Sequence, residues 1–212
     1  MRKLVIIGAS GHGKVVADIA VQNGYEEILF LDDNPAVKEC GGFPVVGTSR
    51  NSIEYTEYDF IVGIGDAQNR KRIQEQLERE GLHITTLIHL SAVVAKSAVI
   101  QSGTVVMAGA VINPGAEIGK GCIINTCSSV DHDCIISDYV HVSVGAHIAG
   151  SVRIGKCTWI GAGATVINNI EIIEDCMIGA GAVVVKNIER KGIYKGVPAC
   201  CDLQNSYRGD KR

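Results

Sequence analysis

From Ile88 to Val184 an isoleucine or valine stands at every sixth residue without a break. The series passes through Val94, Ile100, Val106, Ile112, Ile118, Ile124, Val130, Ile136, Val142, Ile148, Ile154, Ile160, Val166, Ile172 and Ile178, seventeen positions with its two ends. A helix repeats its faces every 3.6 residues and a long strand every two, so neither accounts for this spacing. A short strand followed by a tight turn does. Three such units of six close one triangular coil of eighteen residues, with every aliphatic aimed into a prism. A second register agrees. Four residues after each aliphatic stands a small or β-branched residue, as at Thr104, Ala110, Ala116, Cys122, Ser128, Cys134, Val140 and Ala146. Gly103, Gly109, Gly115, Gly121, Gly155, Gly161 and Gly179 supply turn dihedrals beside the corners. The spacing predicts roughly five coils over residues 88–184, stacked about 4.8 Å apart, with no long loop leaving the prism. Beyond Val184, the segment around Gly192–Pro198 is expected to leave it, and Asp202–Arg212 reads as a polar tail.

The first half has another rhythm. Leu4-Val5-Ile6-Ile7 reads as a short buried strand, followed at once by the loop Gly8-Ala9-Ser10-Gly11-His12-Gly13. A helical stretch runs from Lys14 to Asn23, and a second strand, Ile28–Leu31, ends in Asp32-Asp33. Phe60–Gly65 reads as a further strand and Asn69–Glu80 as a charged amphipathic helix. This βαβ order implies a small parallel sheet flanked by helices, a Rossmann-like fragment too short for a full dinucleotide domain. The expected domains are therefore 1–86, Rossmann-like, and 87–199, β-helix, with a tail over 200–212.

Composition removes several functional classes. A net charge of −3 gives no basic stripe for nucleic acid. After Met1-Arg2-Lys3 only four apolar residues run up to Gly8, short of the roughly 7–15 of a signal peptide, and no run approaches the ~20 apolar residues of a membrane span. Eight cysteines without a CxxC pair argue against zinc or a disulfide framework and for a reducing cytoplasm. Cys122, Cys134 and Cys176 fall in the small-residue register and Cys127 and Cys157 at turns, so packing thiols are expected.

Two groups of residues carry chemistry. The Gly8–Gly13 loop lies where a strand meets a helix N-terminus, whose free N–H groups suit a phosphate. Its spacing is GxxGxG rather than the GxGxxG of dinucleotide enzymes. Asp32 and Asp33, about twenty residues on, stand where such folds bind a ribose. In the repeat, Asp131-His132-Asp133 sits at a corner and has no packing duty. An imidazole beside a carboxylate is what a general base requires. His141 and His147 each immediately precede an inward aliphatic, where either can line a groove.

Taken together, Gly8–Gly13, Leu31-Asp32-Asp33, Asn125-Thr126, Asp131–Cys134 and His141–Ala146 resemble the sialic-acid O-acetyltransferase and UDP-amino-sugar N-acetyltransferase family, over residues 3–199. The similarity is greatest to bacillosamine-type sugar N-acetyltransferases. The resemblance implies a left-handed parallel β-helix, a homotrimer and acetyl-CoA as donor, with no metal. It implies His132 as general base, Asp133 as the acid that raises its basicity, and Asn125 beside the acceptor amine. His141 would meet the thioester, and Gly150, Ala162 and Ala180 would line the CoA arm. Ser10, Gly11, His12, Asp32, Asp33, Gly65 and Asp66 would hold the UDP portion. Two departures stand out: Asp66 replaces an amide common in relatives, and Cys200 replaces a basic residue expected near a CoA phosphate.

The expected function is transfer of acetyl from acetyl-CoA to the amine of a UDP-linked 4-amino-4,6-dideoxy sugar, for a bacterial surface glycan or exopolysaccharide. The alternatives are O-acetylation of a sialic-acid-type sugar, a zinc carbonic anhydrase on the same prism, and a non-enzymatic scaffold. Val105, Val111, Ile123, Ile135 and Val183, each just before an inward aliphatic, are expected to leave apolar area outside for a threefold assembly.

Overall fold

A computed structural model of the chain describes residues 1–202. The first unit runs β1 (Arg2–Ile7), α1 (Gly11–Gln22), β2 (Tyr25–Leu31), β3 (Glu39–Cys40), β4 (Phe43–Gly47), a 3-10 helix (Ser49–Tyr55), β5 (Asp59–Val62) and α2 (Ala67–Arg79). Its sheet has the order β3-β4-β2-β1-β5, parallel except for the β3–β4 hairpin. β1 is a run of aliphatics because both its faces are covered: Leu4, Val5 and Ile6 have no exposed surface. Helix α1 begins three residues earlier than Lys14, so Gly11, His12 and Gly13 form its first turn. A Cβ on Gly13 would stand 2.1 Å from the Gly8 carbonyl oxygen, which is why only glycine fits there. The β3–β4 hairpin and the 3-10 helix carry too few periodic residues to show in the sequence.

The second unit is the prism. Its first face stacks Leu87–Ile88, Val105–Val106, Ile123–Ile124, His141–Val142, Trp159–Ile160 and Cys176–Ile178. The second runs from Val93–Val94 to Val183–Val184 and the third from Val99–Ile100 to Glu171–Ile172. Each strand pairs in parallel with the one eighteen residues on, as Ile123 with His141. This is the left-handed parallel β-helix. From Val106 to Val184 every inward aliphatic is at most 2% exposed. Each such burial stabilises by about 1.5–3 kcal/mol before chain entropy is counted. Ile88, Val94 and Ile100 are only half-buried, since no coil lies beneath them.

Two expectations need correction. Gly192–Lys195 does not leave the prism: it pairs in parallel with Cys176–Ile178 and extends the first face, and Cys200–Cys201 folds back on it antiparallel. The expected tail lies, from residue 203, outside the described residues. Val105 and Ile123 are not free outer surface. With Leu87 and Met107 they form one cluster with Val16, Ile19 and Ala20 of α1, so the first unit covers the lower rungs of the first face. Val111, Ile135 and Val183 are half-buried. Above the docked unit, the outward residues of the first face are His141, Trp159 and Met177.

Candidate active site

The two polar groups of the repeat occupy different edges of the prism. Asn125 follows Ile123–Ile124 and lies at the edge between first and second faces. His132 and Asp133 follow Ser129–Val130 and lie at the edge between second and third.

At the second edge Asp133 adopts φ 57°, a left-handed conformation that aspartate tolerates better than most residues. Along a strand, neighbouring side chains diverge; this turn brings them together, and His132 Nδ1 lies 2.8 Å from Asp133 Oδ2. Asp131 Oδ1 accepts from the His132 backbone N–H at 2.7 Å and from Asn113 Nδ2 at 2.8 Å. Those bonds, from the His132 N–H first, hold the Asp131 carboxyl below the usual carboxylate range. The Asp133 hydrogen bond raises the His132 pKa above its ordinary value, and the charges of Asp131 and Asp133 add to it. One coil above, a Cβ on Gly150 would meet His132 Nε2 at 2.5 Å, so glycine leaves the ring its room. Gly150 therefore stands with His132, apart from Ala162 and Ala180.

The first edge is mainly apolar and partly open to solvent. A cavity of about 430 Å³ is lined by Asn125, His141, Ser143, Trp159, Met177 and the backbone-rich column Gly161-Ala162 and Gly179-Ala180. His141 stacks on Trp159, with ring centroids 5.3 Å apart and planes 9° from parallel. Asn125 Oδ1 accepts from Thr126 N at 2.8 Å, which turns its Nδ2 toward His141 Nε2 at 3.1 Å. Burial, then the charge of Arg70 and the neighbouring His12, pushes the His141 pKa down to about 3. The ring is thus neutral, Nε2 is the acceptor, and the proton sits on Nδ1. That Nδ1 is buried without a partner, as is Nε2 of His12, whose pKa burial and Arg70 push down to about 4. Two buried imidazole nitrogens without protein partners are what a ligand's polar atoms would satisfy.

Nothing in the sequence singles out Arg70, one cation in a charged helix. It is 1% exposed. Its guanidinium donates to the carbonyls of Gly121, Ile64, Gly65 and Tyr139 at 2.6–2.9 Å. It thereby fastens the loop after β5 to the corners that lead into the first face. Burial lowers its pKa to about 10, still charged at neutral pH.

The other expected residues have local partners. Asp32 accepts from the backbone N–H of Ala9 and Asn34 at 2.7 and 2.8 Å, latching the glycine loop. Asp33 accepts from Ser49 N and Oγ, and Asp66 caps α2 by accepting from Asn69 N. Ser10 precedes α1 as its N-cap. His147 lies on the second face, exposed, 2.9 Å from Ser129 Oγ. Burial pushes the Cys122 thiol up to about 12 and Cys176 to about 11, so neither offers a thiolate nucleophile. Among the described residues no group of three or more His, Cys, Asp or Glu could hold a metal, and no helix is long and apolar enough to cross a membrane.

A histidine–carboxylate pair on a hexapeptide prism, with a narrow small-residue groove, defines the class: a hexapeptide-repeat acyltransferase. Residues 3–77 match the family described as the PglD N-terminal domain. A GDP-perosamine N-acetyltransferase of Escherichia coli is 30% identical over 164 residues, covering 74% of each chain. The acetyltransferase domain of PglB from Neisseria gonorrhoeae superimposes with a TM-score of 0.91 at 41% identity, covering 95% of this chain and all of that one. It has also been solved with acetyl coenzyme A. PerB from Caulobacter crescentus, in complex with CoA and GDP-perosamine, gives 0.91 at 35% identity over 95% of this chain and 98% of its own. The chain belongs to the acetyl-CoA-dependent sugar N-acetyltransferases of the hexapeptide-repeat family.

Proposed function

We propose that the chain acetylates the 4-amino group of a UDP-linked 4-amino-4,6-dideoxy sugar in the cytoplasm, for a bacterial surface glycan or exopolysaccharide. The observation that carries the reading is the division of chemistry between two edges of one prism. The base is at one edge; the groove with its neutral histidine is at the other. A cyclic homotrimer would set the His132 edge of one chain against the His141 edge of its neighbour. Val144, exposed at the first edge, and Ile167 and Val185, exposed near the second, supply apolar surface for that contact.

In this reading the acetyl-CoA arm lies along Ala162 and Ala180, with its thioester at His141. The glycine loop at Ser10, Gly11 and His12 takes the diphosphate at the N-terminus of α1, and Asp32, Asp33, Gly65 and Asp66 shape the nucleoside end. Asn125 lies beside the amine. The neutral amine attacks the carbonyl carbon; His132 Nε2 takes its proton while Asp133 holds Nδ1. The C–N bond forms, the C–S bond breaks, and the proton leaves with CoA as its thiol. An N–H near Gly150 faces the developing oxyanion. No acyl-enzyme is needed.

The GDP-sugar relatives favour a second reading, a GDP-linked acceptor with the same chemistry. Competition between UDP- and GDP-linked 4-amino sugars, read as CoA release, separates the two. The assembly is tested by refolding His132→Ala together with Ala180→Trp. Mixed trimers regain activity if base and groove come from different chains; verified mixed trimers that stay inactive place each site within one chain.

A further inference from the structure

Trp159 is the chain's only tryptophan, and it lies 39% exposed in the wall of the first-edge cavity. We propose that Trp159 selects the donor: its indole sets the width of the groove beside His141, so that a short acyl thioester reaches Asn125 and His141 and a longer one does not. This rests on the reading of that groove as the acyl-CoA channel.

The indole cannot swing aside freely. One face lies flat on the His141 ring, and Nε1 donates to the hydroxyl of Ser143, itself only 6% exposed. Trp159 also pairs in register with His141 below and Met177 above, so it stands on the rung next to His141. Neighbouring rungs are about 4.8 Å apart. A thioester held at His141 therefore places its acyl group within one rung of the indole. On the other side the column Gly161-Ala162 and Gly179-Ala180 is backbone and methyl, with no side chain that could fold away to make room. Gly161 is further fixed by crowding, since a Cβ there would stand 2.6 Å from the Ile178 carbonyl oxygen. Trp159 is thus the one large ring of the wall held by both stacking and a hydrogen bond, with Met177 on the rung above it and a backbone-and-methyl column opposite. Pocket walls of this kind discriminate about tenfold or more for each added methylene.

The test compares wild type, Trp159→Phe and Trp159→Ala with acetyl-, propionyl- and butyryl-CoA. Trp159 points outward from the prism, and thermal melts verify that both variants keep the fold. The butyryl-to-acetyl ratio of kcat/KM should rise at least tenfold in Trp159→Ala, with Trp159→Phe between. An unchanged ratio in both folded variants overturns the proposal. A second readout uses the wild-type protein: as the sole tryptophan, Trp159 should change its fluorescence when desacyl CoA is added. If CoA leaves the fluorescence unchanged, the groove is not the donor channel and the proposal falls with that reading. A normal CoA response with an unchanged acyl ratio removes the selection role and leaves the channel standing.

Discussion

His132 and His141 belong to one coil of one prism, nine positions apart by number, and their surroundings give them opposite chemistry. His132 stands at an open corner, with a carboxylate on Nδ1 that raises its pKa. His141 lies where the first unit stops covering the first face, between Asn125, Trp159 and the charge of Arg70, and burial keeps it neutral. The prism itself does not decide between a carboxylate-supported imidazole and a buried neutral one. What decides is whether a side chain sits at a turn with an acidic neighbour or on a face beside a docked domain.

The largest break in this contrast comes from His132→Ala. Turnover should fall roughly 100-fold or more, while acetyl-CoA binding by calorimetry stays near wild type. A folded variant that turns over normally would transfer the base to another group. Asp133→Asn asks a narrower question. It keeps the shape but removes the charge that raises His132, so kcat should fall about tenfold. The acid limb of the kcat/KM profile should move to lower pH, because the imidazole then loses its proton more easily. A limb that stays in place would assign it to a different group.

The same contrast should appear in stability. His12 and His141 have folded pKa values near 4 and 3, below the unfolded value of 6.5. Their contribution is present above pH 6.5 and is lost as pH falls toward the folded values. Between pH 6.5 and 5.5 each should remove about 1 kcal/mol. His132 works the other way: its raised value contributes below the unfolded pKa and is lost as pH rises through the folded one. Denaturant melts of His12→Asn should therefore show a shallower loss on acidification than wild type. Parallel curves would mean that His12 titrates normally in the folded protein.

Much of the fold is legible in the amino-acid sequence alone. The period of six places every inward aliphatic, because an interior position depends only on the chain's own geometry. Outward positions depend on what packs there, which is why Val105 and Ile123 read as free surface until the first unit is seen to cover them. The Asp131-His132-Asp133 corner is visible because three polar residues have no packing reason to be there. Arg70 and Trp159 are invisible for the reverse reason: a cation in a charged helix and an apolar residue in an apolar strand look ordinary. Their importance comes from backbone carbonyls and a histidine brought up from distant parts of the chain.

The smallest effect sharpens the comparison between one functional corner and its neighbours. From residue 103 to residue 181, the position three after each inward aliphatic has positive φ at every one of fourteen corners. Seven are glycine; the others are Cys127, Asp133, Tyr139, Ser151, Cys157, Asn169 and Asp175. A side chain in that conformation costs about 1–2 kcal/mol, while glycine gives back about 0.5–1 through its freer unfolded chain. Ser151 sits one coil above Asp133 with φ 59° and is exposed, and its N–H donates to the His132 carbonyl at 2.9 Å. Ser151→Gly keeps that backbone bond and removes only the strain, so it should stabilise by about 0.5 kcal/mol, or roughly 1–2 °C in Tm. Gly163→Ser is the mirror image, with φ 65° and open space around the new Cβ, and should destabilise by a similar amount. Asp133→Gly should also gain stability but lose turnover, because there the strained side chain holds His132, the proposed base. If Ser151→Gly melts lower than wild type, the positive-φ corners are not strained by their side chains, and Asp133 is held at no cost to the fold.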